Sequence, residues 1–121
     1  IDVWNIELEA QNAAFAAIKI GAPCEVVDAA ARAVIEKAGF KSNYKLPGLP
    51  HRTGHGIGME THEEPYIVAG NSSLLELGHA FSIEPGFYFE GQYGARIEDI
   101  VTCTEDGITS ANNTTRELVV L

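Results

Sequence analysis

One histidine and two glutamates stand in settings that suit a metal ligand. His55 lies inside the glycine-rich run Gly54–Gly58, Glu84 precedes a Pro-Gly pair, and Glu98 follows Arg96 by two positions. Neutral imidazole and carboxylate groups are ligands that divalent metal ions bind in proteins. A lone histidine is more often a hydrogen-bonded core residue, and Glu84 alone fits a surface position at a strand end equally well. Together, the three residues favour a metal site.

The glycines around His55 argue against a helix in this segment. His51 and His55 are four residues apart, which would place them on one face of a helix. Each glycine of the run Gly54–Gly58 would cost about 1 kcal/mol in a helix interior relative to alanine. We therefore predict an extended strand or tight loop, in which the flanking glycines let a neighbouring backbone or a ligand approach His55 closely.

The run Arg96–Thr104 is predicted to form one buried strand. Side chains alternate between the two faces of a strand, so Arg96 and Glu98 are expected on the same face. Ile97 and Asp99 would then lie on the opposite face. Two interpretations remain open. Arg96 and Glu98 could form a structural ion pair, or Glu98 could bind a metal ion while Arg96, which does not bind the ion, controls the geometry or charge of Glu98.

Two helices are predicted before these residues in the chain. Helical spacing of apolar residues predicts a helix from Asp2 to Ile20 and a second from about Pro23 to Ala38, the latter with Val26 on its buried face. Lys41–Pro50 is expected to be a loop, either one wall of a cleft or a plain solvated connection. The predicted strands cover approximately Thr53–Ile57, His79–Ile83, Phe87–Phe89, Arg96–Thr104 and Glu117–Val120.

This order of elements predicts an α+β fold. Two helices would cover one face of a curved, mainly antiparallel sheet, and the other face would present His55, Glu84 and Glu98. Within residues 1–121 the sequence shows no internal repeat and no linker. We therefore expect a single domain portion with the candidate ligands on one side of a sheet.

Composition limits the classes of partner. The net charge of −9 argues against nucleic acid and anionic membranes as partners, and no apolar run approaches the roughly 20 residues that span a bilayer. Cys24 and Cys103 lie far apart and are predicted to be reduced thiols in the core. His79 is expected to be partly exposed beside a strand. We expect a cytoplasmic location.

Four motifs in order carry a family resemblance. They are His51–Gly58, Thr61–Pro65, Ser82–Gly86 and Gly94–Asp99. The chain closely resembles the Xaa-Pro aminopeptidase and prolidase (Xaa-Pro dipeptidase) branch of the pita-bread metallopeptidases. The resemblance extends over nearly the whole chain and implies that residues 1–121 are the carboxy-terminal portion of a catalytic domain, with a partial pita-bread fold.

The resemblance implies roles for individual residues. His55, Glu84 and Glu98 match three ligands of two divalent metal ions, usually manganese or cobalt, with zinc as a further option, and Glu98 matches the ligand that bridges both ions. His62 matches a histidine that steadies the tetrahedral intermediate or moves a proton. Glu84 would also carry a proton to the leaving proline nitrogen.

Two further residues match positions around the ions. His51 matches a histidine that contacts substrate near the scissile bond, and Arg96 matches an arginine that distinguishes this branch from methionine aminopeptidases. The implied reaction is metal-assisted hydrolysis of a peptide bond that precedes proline in a peptide substrate. A non-catalytic pita-bread binding domain and a creatinase-like amidinohydrolase are the alternatives.

The chain departs from the family in one respect. The family has five protein ligands, and the two aspartates that precede the matched motifs are not found here. Asp2 stands at the chain end, and Asp28 lies in a helical pattern. We therefore expect a fragment that alone binds a second metal ion weakly and hydrolyses Xaa-Pro bonds negligibly. Exposed sheet edges in such a fragment are expected to cause self-association or dimerisation.

Overall fold

The structure is a computed structural model that describes residues 2–121. These residues form two α-helices and seven β-strands. The helices are α1 (Asp2–Ala17) and α2 (Cys24–Lys37). The strands are β1 (Gly54–Gly56), β2 (Glu63–Ile67), β3 (Ala80–Ile83), β4 (Gly86–Phe89), β5 (Tyr93–Arg96), β6 (Asp99–Thr104) and β7 (Gly107–Ser110). The predicted α+β class, with two helices followed by strands, is confirmed.

Helix α1 ends three residues before the predicted end at Ile20. The backbone tightens there, because the N–H of Ile18 donates to the carbonyl of Phe15 and Gly21 adopts a φ of 85°. Small residues of α1, including Ala10 and Ala14, are buried against α2 and the sheet. Within residues 2–121, no helix has the length and apolarity to cross a membrane.

Helix α2 agrees with the prediction to within one residue at each end. Pro23 precedes it in extended conformation, and Gly39 follows it with a φ of 93°. The predicted burial of Val26 is wrong, since this side chain is 46% exposed. The buried stripe instead follows Val27 at helical spacing and includes the polar residues Asp28 and Arg32, which an apolar pattern does not reveal.

The strands form two antiparallel sheets within the described residues. The larger sheet has the order β2-β1-β3-β6-β7, and β4 pairs only with β5. Strands β2 and β7 were not predicted, and only Arg96 of β5 fell within a predicted strand. Pro65 obscured β2, and proline is tolerated there because β2 lies at the sheet edge. The core between helices and sheet is filled by apolar side chains that include Val27, Ile35, Phe81, Ile83, Phe87 and Val101.

The predicted strand Arg96–Thr104 is wrong as a single element. The extended structure is interrupted between β5 and β6, so that Ile97 and Glu98 lie in neither strand. This two-residue interruption is called the break between β5 and β6. Arg96 and Glu98 therefore do not share one strand face as predicted. The break is stabilised because side chains of α1, rather than a neighbouring strand, bond the backbone of Ile97.

The predicted strand Glu117–Val120 is also wrong. This segment has no regular structure, and Val120 is 85% exposed. No neighbouring strand within residues 2–121 pairs with it, so its apolar residues do not enter the sheet. The segment before it lies near α1, where the indole N–H of Trp4 donates to the carbonyl of Arg116.

Smaller predictions are confirmed. Cys24 and Cys103 are both buried free thiols. The side chain of His79 is 31% exposed next to β3, and its Nδ1 accepts a hydrogen bond from the N–H of Glu76. Neither cysteine forms a disulfide, so the packing of the helices on the sheet depends on non-covalent contacts.

A buried arginine holds the predicted loop Lys41–Pro50 against α2. The guanidinium of Arg32 donates to the carbonyls of Ser42 at 2.6 Å, Leu49 at 2.9 Å and His51 at 2.6 Å. It also lies 3.8 Å from the ring centroid of Tyr44. The loop is thus confirmed, and one side chain fixes its course towards His51.

Asp28 connects the same arginine to the start of β1. Its Oδ2 accepts from Nε of Arg32 at 2.7 Å, and its Oδ1 accepts from the backbone N–H of Thr53 at 3.2 Å and from Oγ1 of Thr53 at 2.8 Å. Asp28 is 1% exposed. Removing one partner of such a buried pair leaves the other charge without compensation, which is strongly destabilising.

We predict that Arg32→Met lowers the free energy of unfolding by about 3 kcal/mol. The substitution keeps the apolar stem but leaves the Asp28 charge buried and three carbonyls without their donor. Urea denaturation measures the change. Lys37→Met on the exposed end of the same helix is the control, and an equal, small change in both variants would contradict the prediction.

Candidate metal centre

Close contact between backbones surrounds His55. Strand β1 lies between β2 and β3, and a Cβ atom on Gly54 would come within 1.8 Å of the carbonyl oxygen of Ser82. A Cβ on Gly56 would come within 2.2 Å of the carbonyl oxygen of Glu64. The close approach predicted from the glycines is confirmed. Any side chain at either position would force the strands apart.

The ring of His55 has a defined orientation. Its Nδ1 lies 3.0 Å from the carbonyl oxygen of Gly56, which can only accept a hydrogen bond. In the neutral imidazole, Nδ1 therefore carries the hydrogen and Nε2 keeps a lone pair for a metal ion. The strand register shifts between His55 and Gly56, and the N–H of His55 donates to Oγ of Ser82 at 3.0 Å.

Glu84 lies immediately beyond the end of β3. Its N–H donates to the carbonyl of Thr53 at 2.7 Å, and Thr53 is itself bonded to Asp28 of α2. The carboxylate Oε2 of Glu84 lies 3.5 Å from Nε2 of His55, with the glutamate side chain 14% exposed. Helix α2 therefore positions this carboxylate through Thr53.

Glu98 completes the cluster from the break between β5 and β6. One ligand atom from each of His55, Glu84 and Glu98 lies within 4.8 Å of the other two. Among the described residues, no other group of three metal-ligand side chains comes as close. The structure thus brings together the three residues that the sequence singled out, although two of them lie outside strands.

The cluster carries excess negative charge. The pKa of Glu98 is raised, chiefly because the Glu84 carboxyl lies within hydrogen-bonding reach, and further by burial and by repulsion from Glu84. Arg96 and His55 oppose this shift. A cation placed between the carboxylates would relieve their repulsion. One imidazole nitrogen and two carboxylates suit a divalent transition-metal ion, so the donor set fits the metals that the family resemblance implies.

His62 lies beside the candidate ligands. It is exposed on the connection between β1 and β2, and its ring centroid is 4.3 Å from that of His55 in an edge-on arrangement. This position leaves the His62 ring free to meet a molecule that approaches the cluster from solvent. The role of His62 in steadying a tetrahedral intermediate or moving a proton stays a prediction.

His51 faces a tyrosine that the sequence did not single out. Its Nδ1 lies 2.6 Å from the carbonyl oxygen of Arg52, and its Nε2 lies 3.2 Å from the hydroxyl of Tyr88. Burial raises the pKa of Tyr88, and nearby Glu84 raises it further. Tyr88 therefore lies beside His51. Local sequence gives no signal for this contact, because His51 and Tyr88 are 37 residues apart.

Arg96 acts on the cluster through space. It is exposed at the end of β5, and within the described residues no ion pair joins it to Glu98. Its positive charge nevertheless opposes the raised pKa of Glu98. The interpretation as a direct structural ion pair finds no support in this geometry.

The two early aspartates are not part of the cluster. Asp2 is exposed in the first turn of α1, and Asp28 is bonded to Arg32 and Thr53. Both placements agree with the sequence analysis. Within residues 2–121, the candidate centre therefore has one imidazole and two carboxylates as its donors.

Known proteins resemble this chain in sequence and structure. The model of metallopeptidase family M24 matches residues 1–105. Probable dipeptidase PepE of Mycobacterium tuberculosis is 59% identical over 118 residues, which cover 98% of this chain and 30% of that protein. An Xaa-Pro dipeptidase of Lactobacillus helveticus is 43% identical over 120 residues, which cover 99% of this chain and 31% of that protein.

A solved structure is also similar to this chain. The X-Pro aminopeptidase from Thermotoga maritima matches with a TM-score of 0.91 and 37% identity, covering 99% of this chain and 33% of that chain. This likeness confirms the predicted partial pita-bread fold. The chain spans about 30% of the length of the relatives named above. Because the family model covers most of the sequence, the chain belongs to metallopeptidase family M24.

Proposed function

We propose that the full-length gene product containing these residues is a metal-dependent peptidase that cleaves the bond preceding proline in Xaa-Pro substrates. The observation that carries this proposal is the convergence of ligand atoms from His55, Glu84 and Glu98 within 4.8 Å. Membership of family M24 supports peptidase chemistry. The names of an Xaa-Pro dipeptidase and an X-Pro aminopeptidase among similar proteins support the preference for proline.

The metal centre would be completed by groups outside these 121 residues. Two divalent ions about 3.5–4 Å apart bring strong mutual repulsion, which two carboxylates offset incompletely. We propose that residues 1–121 are the carboxy-terminal portion of a catalytic domain, and the match to only 30% of PepE supports a partial domain. We assign the remaining carboxylate ligands to the rest of that domain.

Manganese is the proposed native metal, with cobalt and zinc as alternatives. Nε2 of His55 and the carboxylates of Glu84 and Glu98 would hold the ions. Bound divalent ions supply the acidity that turns water into a nucleophile at neutral pH and polarises a substrate carbonyl. The raised pKa of Glu98 supports a cation here, because its largest cause is the crowding of two carboxyls.

The surrounding side chains have separate proposed roles. The exposed ring of His62, beside His55, would donate a hydrogen bond to the oxygen that gains charge during hydrolysis. Glu84 would carry a proton to the leaving nitrogen. His51, held between the carbonyl of Arg52 and the hydroxyl of Tyr88, would contact the substrate near the scissile bond. The role of His62 rests on its distance to His55, and the roles of Glu84 and His51 rest on the family resemblance.

The positive charge of Arg96 has a proposed role in controlling the carboxylates. It attracts Glu98 without forming an ion pair, so it would favour the ionised form that binds a metal ion. The cytoplasm is the proposed compartment, and the two buried free thiols support a reducing environment. A peptide is the proposed substrate.

Metal binding provides the first test. We predict that the full-length gene product binds two Mn²⁺ ions per chain, whereas the 121-residue chain binds a second ion weakly and does not hydrolyse Xaa-Pro peptides. His55→Ala in the full-length product should lower turnover on the order of 100-fold or more, because it removes a ligand. Calorimetry and peptide hydrolysis measure these outcomes.

His79→Ala is the matched control for this substitution. His79 bonds Glu76 away from the cluster, so its removal should leave metal stoichiometry unchanged. Tight binding of two Mn²⁺ ions by the 121-residue chain, with turnover lost in His55→Ala, would overturn the prediction that residues outside it are needed.

Substrate specificity provides the second test. The Mn²⁺-loaded gene product should hydrolyse Ala-Pro at least about tenfold faster than Ala-Ala, since the proposed site selects proline after the scissile bond. Comparison of Ala-Pro with Ala-Pro-Ala separates dipeptidase from aminopeptidase activity. Hydrolysis of creatine in place of the peptides would favour the amidinohydrolase alternative, and turnover of none would favour the non-catalytic domain.

Self-association of the 121-residue chain is a further prediction. Strands β2 and β7 form the edges of the larger sheet, and the apolar residues Val119 and Val120 are exposed. Sheet edges and apolar surface both favour association. Light scattering should therefore give a mass above that of the monomer at high protein concentration. A monomeric mass throughout would refute this prediction.

A further inference from the structure

Helix α1 carries two polar residues on its buried face. Glu7 and Gln11 are both 0% exposed and are four residues apart, so they lie on the same side of the helix. Burying an amide or a carboxyl costs free energy unless the group is hydrogen-bonded. Their bonding partners therefore indicate what these residues stabilise.

Gln11 connects the two chain segments that carry Glu84 and Glu98. Its Nε2 lies 3.3 Å from the carbonyl oxygen of Ile83 and 3.3 Å from that of Ile97. The same nitrogen donates to the Asp99 carboxylate at 2.9 Å. Ile83 and Ile97 each precede a candidate ligand directly, so one amide spans both ligand-bearing segments.

A second contact fixes the orientation of that amide. Oε1 of Gln11 accepts from Nη1 of Arg116 at 3.2 Å. An arginine only donates hydrogen bonds, so the oxygen of the amide must face Arg116 and the NH₂ group must face the carbonyls. The contacts of Gln11 with Ile83 and Ile97 are therefore donor-to-acceptor contacts.

Glu7 holds the other polar group of Ile97. Its Oε1 accepts from the N–H of Ile97 at 3.2 Å. Ile97 lies in the break between β5 and β6, outside both strands. Side chains of α1 thus take the place that a neighbouring strand would occupy, and they bond both backbone polar groups of the residue before Glu98.

We propose that Glu7 and Gln11 are positioning residues that set the separation of the Glu84 and Glu98 carboxylates for metal binding. This inference rests on the proposed function. Because Gln11 bonds the backbone before each glutamate, its loss would let the two segments move relative to each other. The expected consequence is altered metal geometry and weaker binding, rather than a loss of stability alone.

The charge state of Glu7 agrees with a structural task. Burial raises its pKa to about 8, against smaller opposing effects of the Ile97 N–H and of Arg96. At pH 7 the carboxyl is therefore mostly protonated and adds no full negative charge to the buried face of α1. Within residues 2–121, Oε2 of Glu7 is a buried side-chain atom without a hydrogen-bond partner. A neutral glutamine should therefore replace Glu7 well.

The test uses the full-length gene product with Gln11→Met and Glu7→Met, which keep side-chain volume and remove the hydrogen bonds. Competition with a chelating dye measures the affinity for the more weakly bound Mn²⁺ ion. Visible absorption of the Co²⁺-loaded protein reports ligand geometry. We expect affinity to fall about 10–100-fold and the Co²⁺ spectrum to change in both variants, while Glu7→Gln retains the wild-type affinity and spectrum.

Exposed residues of the same helix supply matched controls. Asn5→Met and Glu9→Met change neighbouring side chains that lie outside the buried face, and they should retain the wild-type spectrum. Thermal melting of each apo variant separates stability from metal geometry. Should Gln11→Met fail to fold, Glu7→Met tests the same segment, with the rescue by Glu7→Gln as the confirming result.

The outcomes distinguish the inference from the function on which it rests. Wild-type affinity and spectrum in folded Met variants would overturn the positioning role, and Xaa-Pro turnover by the wild-type protein would leave the function standing. Absence of both metal binding and turnover in the wild-type protein would overturn the proposed function together with the inference.

Discussion

Backbone contact across β1 is the constraint on which the candidate centre depends. Gly54 and Gly56 have carbonyl oxygens of neighbouring chain segments where any Cβ atom would lie. His55 between them is held by Ser82 on one side and by its own ring contact to Gly56 on the other. A strand that packed less closely would leave the imidazole free to turn away from the glutamates.

The glutamates depend on the helices rather than on the sheet. Both lie just beyond the end of a strand, and the backbone bond from Glu84 to Thr53 leads back to α2. Helix α2 reaches Glu84 through Asp28 and Thr53, and α1 reaches the residues before Glu84 and Glu98 through Gln11. The buried polar residues of the two helices therefore stabilise the fold and also position the carboxylates of Glu84 and Glu98. Burial alone would not explain polar residues at these positions.

Local sequence predicted the helices and the fold class because apolar periodicity and glycine stops are local signals. The glycine frame likewise predicted close packing at His55. The break after Arg96 was missed, since it depends on α1 residues about 90 positions away, beginning with Glu7. The false strand at Glu117–Val120 shows the converse: apolar residues without a pairing partner remain outside the sheet. The convergence of the candidate ligands matches the family resemblance, while their assignment as ligands stays a prediction.

Anomalous diffraction from crystals of the full-length gene product soaked in Mn²⁺ can show whether His55, Glu84 and Glu98 bind metal ions. We expect anomalous peaks about 2.0–2.3 Å from Nε2 of His55 and from the carboxylate oxygens of Glu84 and Glu98. The further ligands should come from residues outside this chain. Peaks elsewhere, or none in this cluster at saturating Mn²⁺, would contradict the assignment of these three residues as metal ligands.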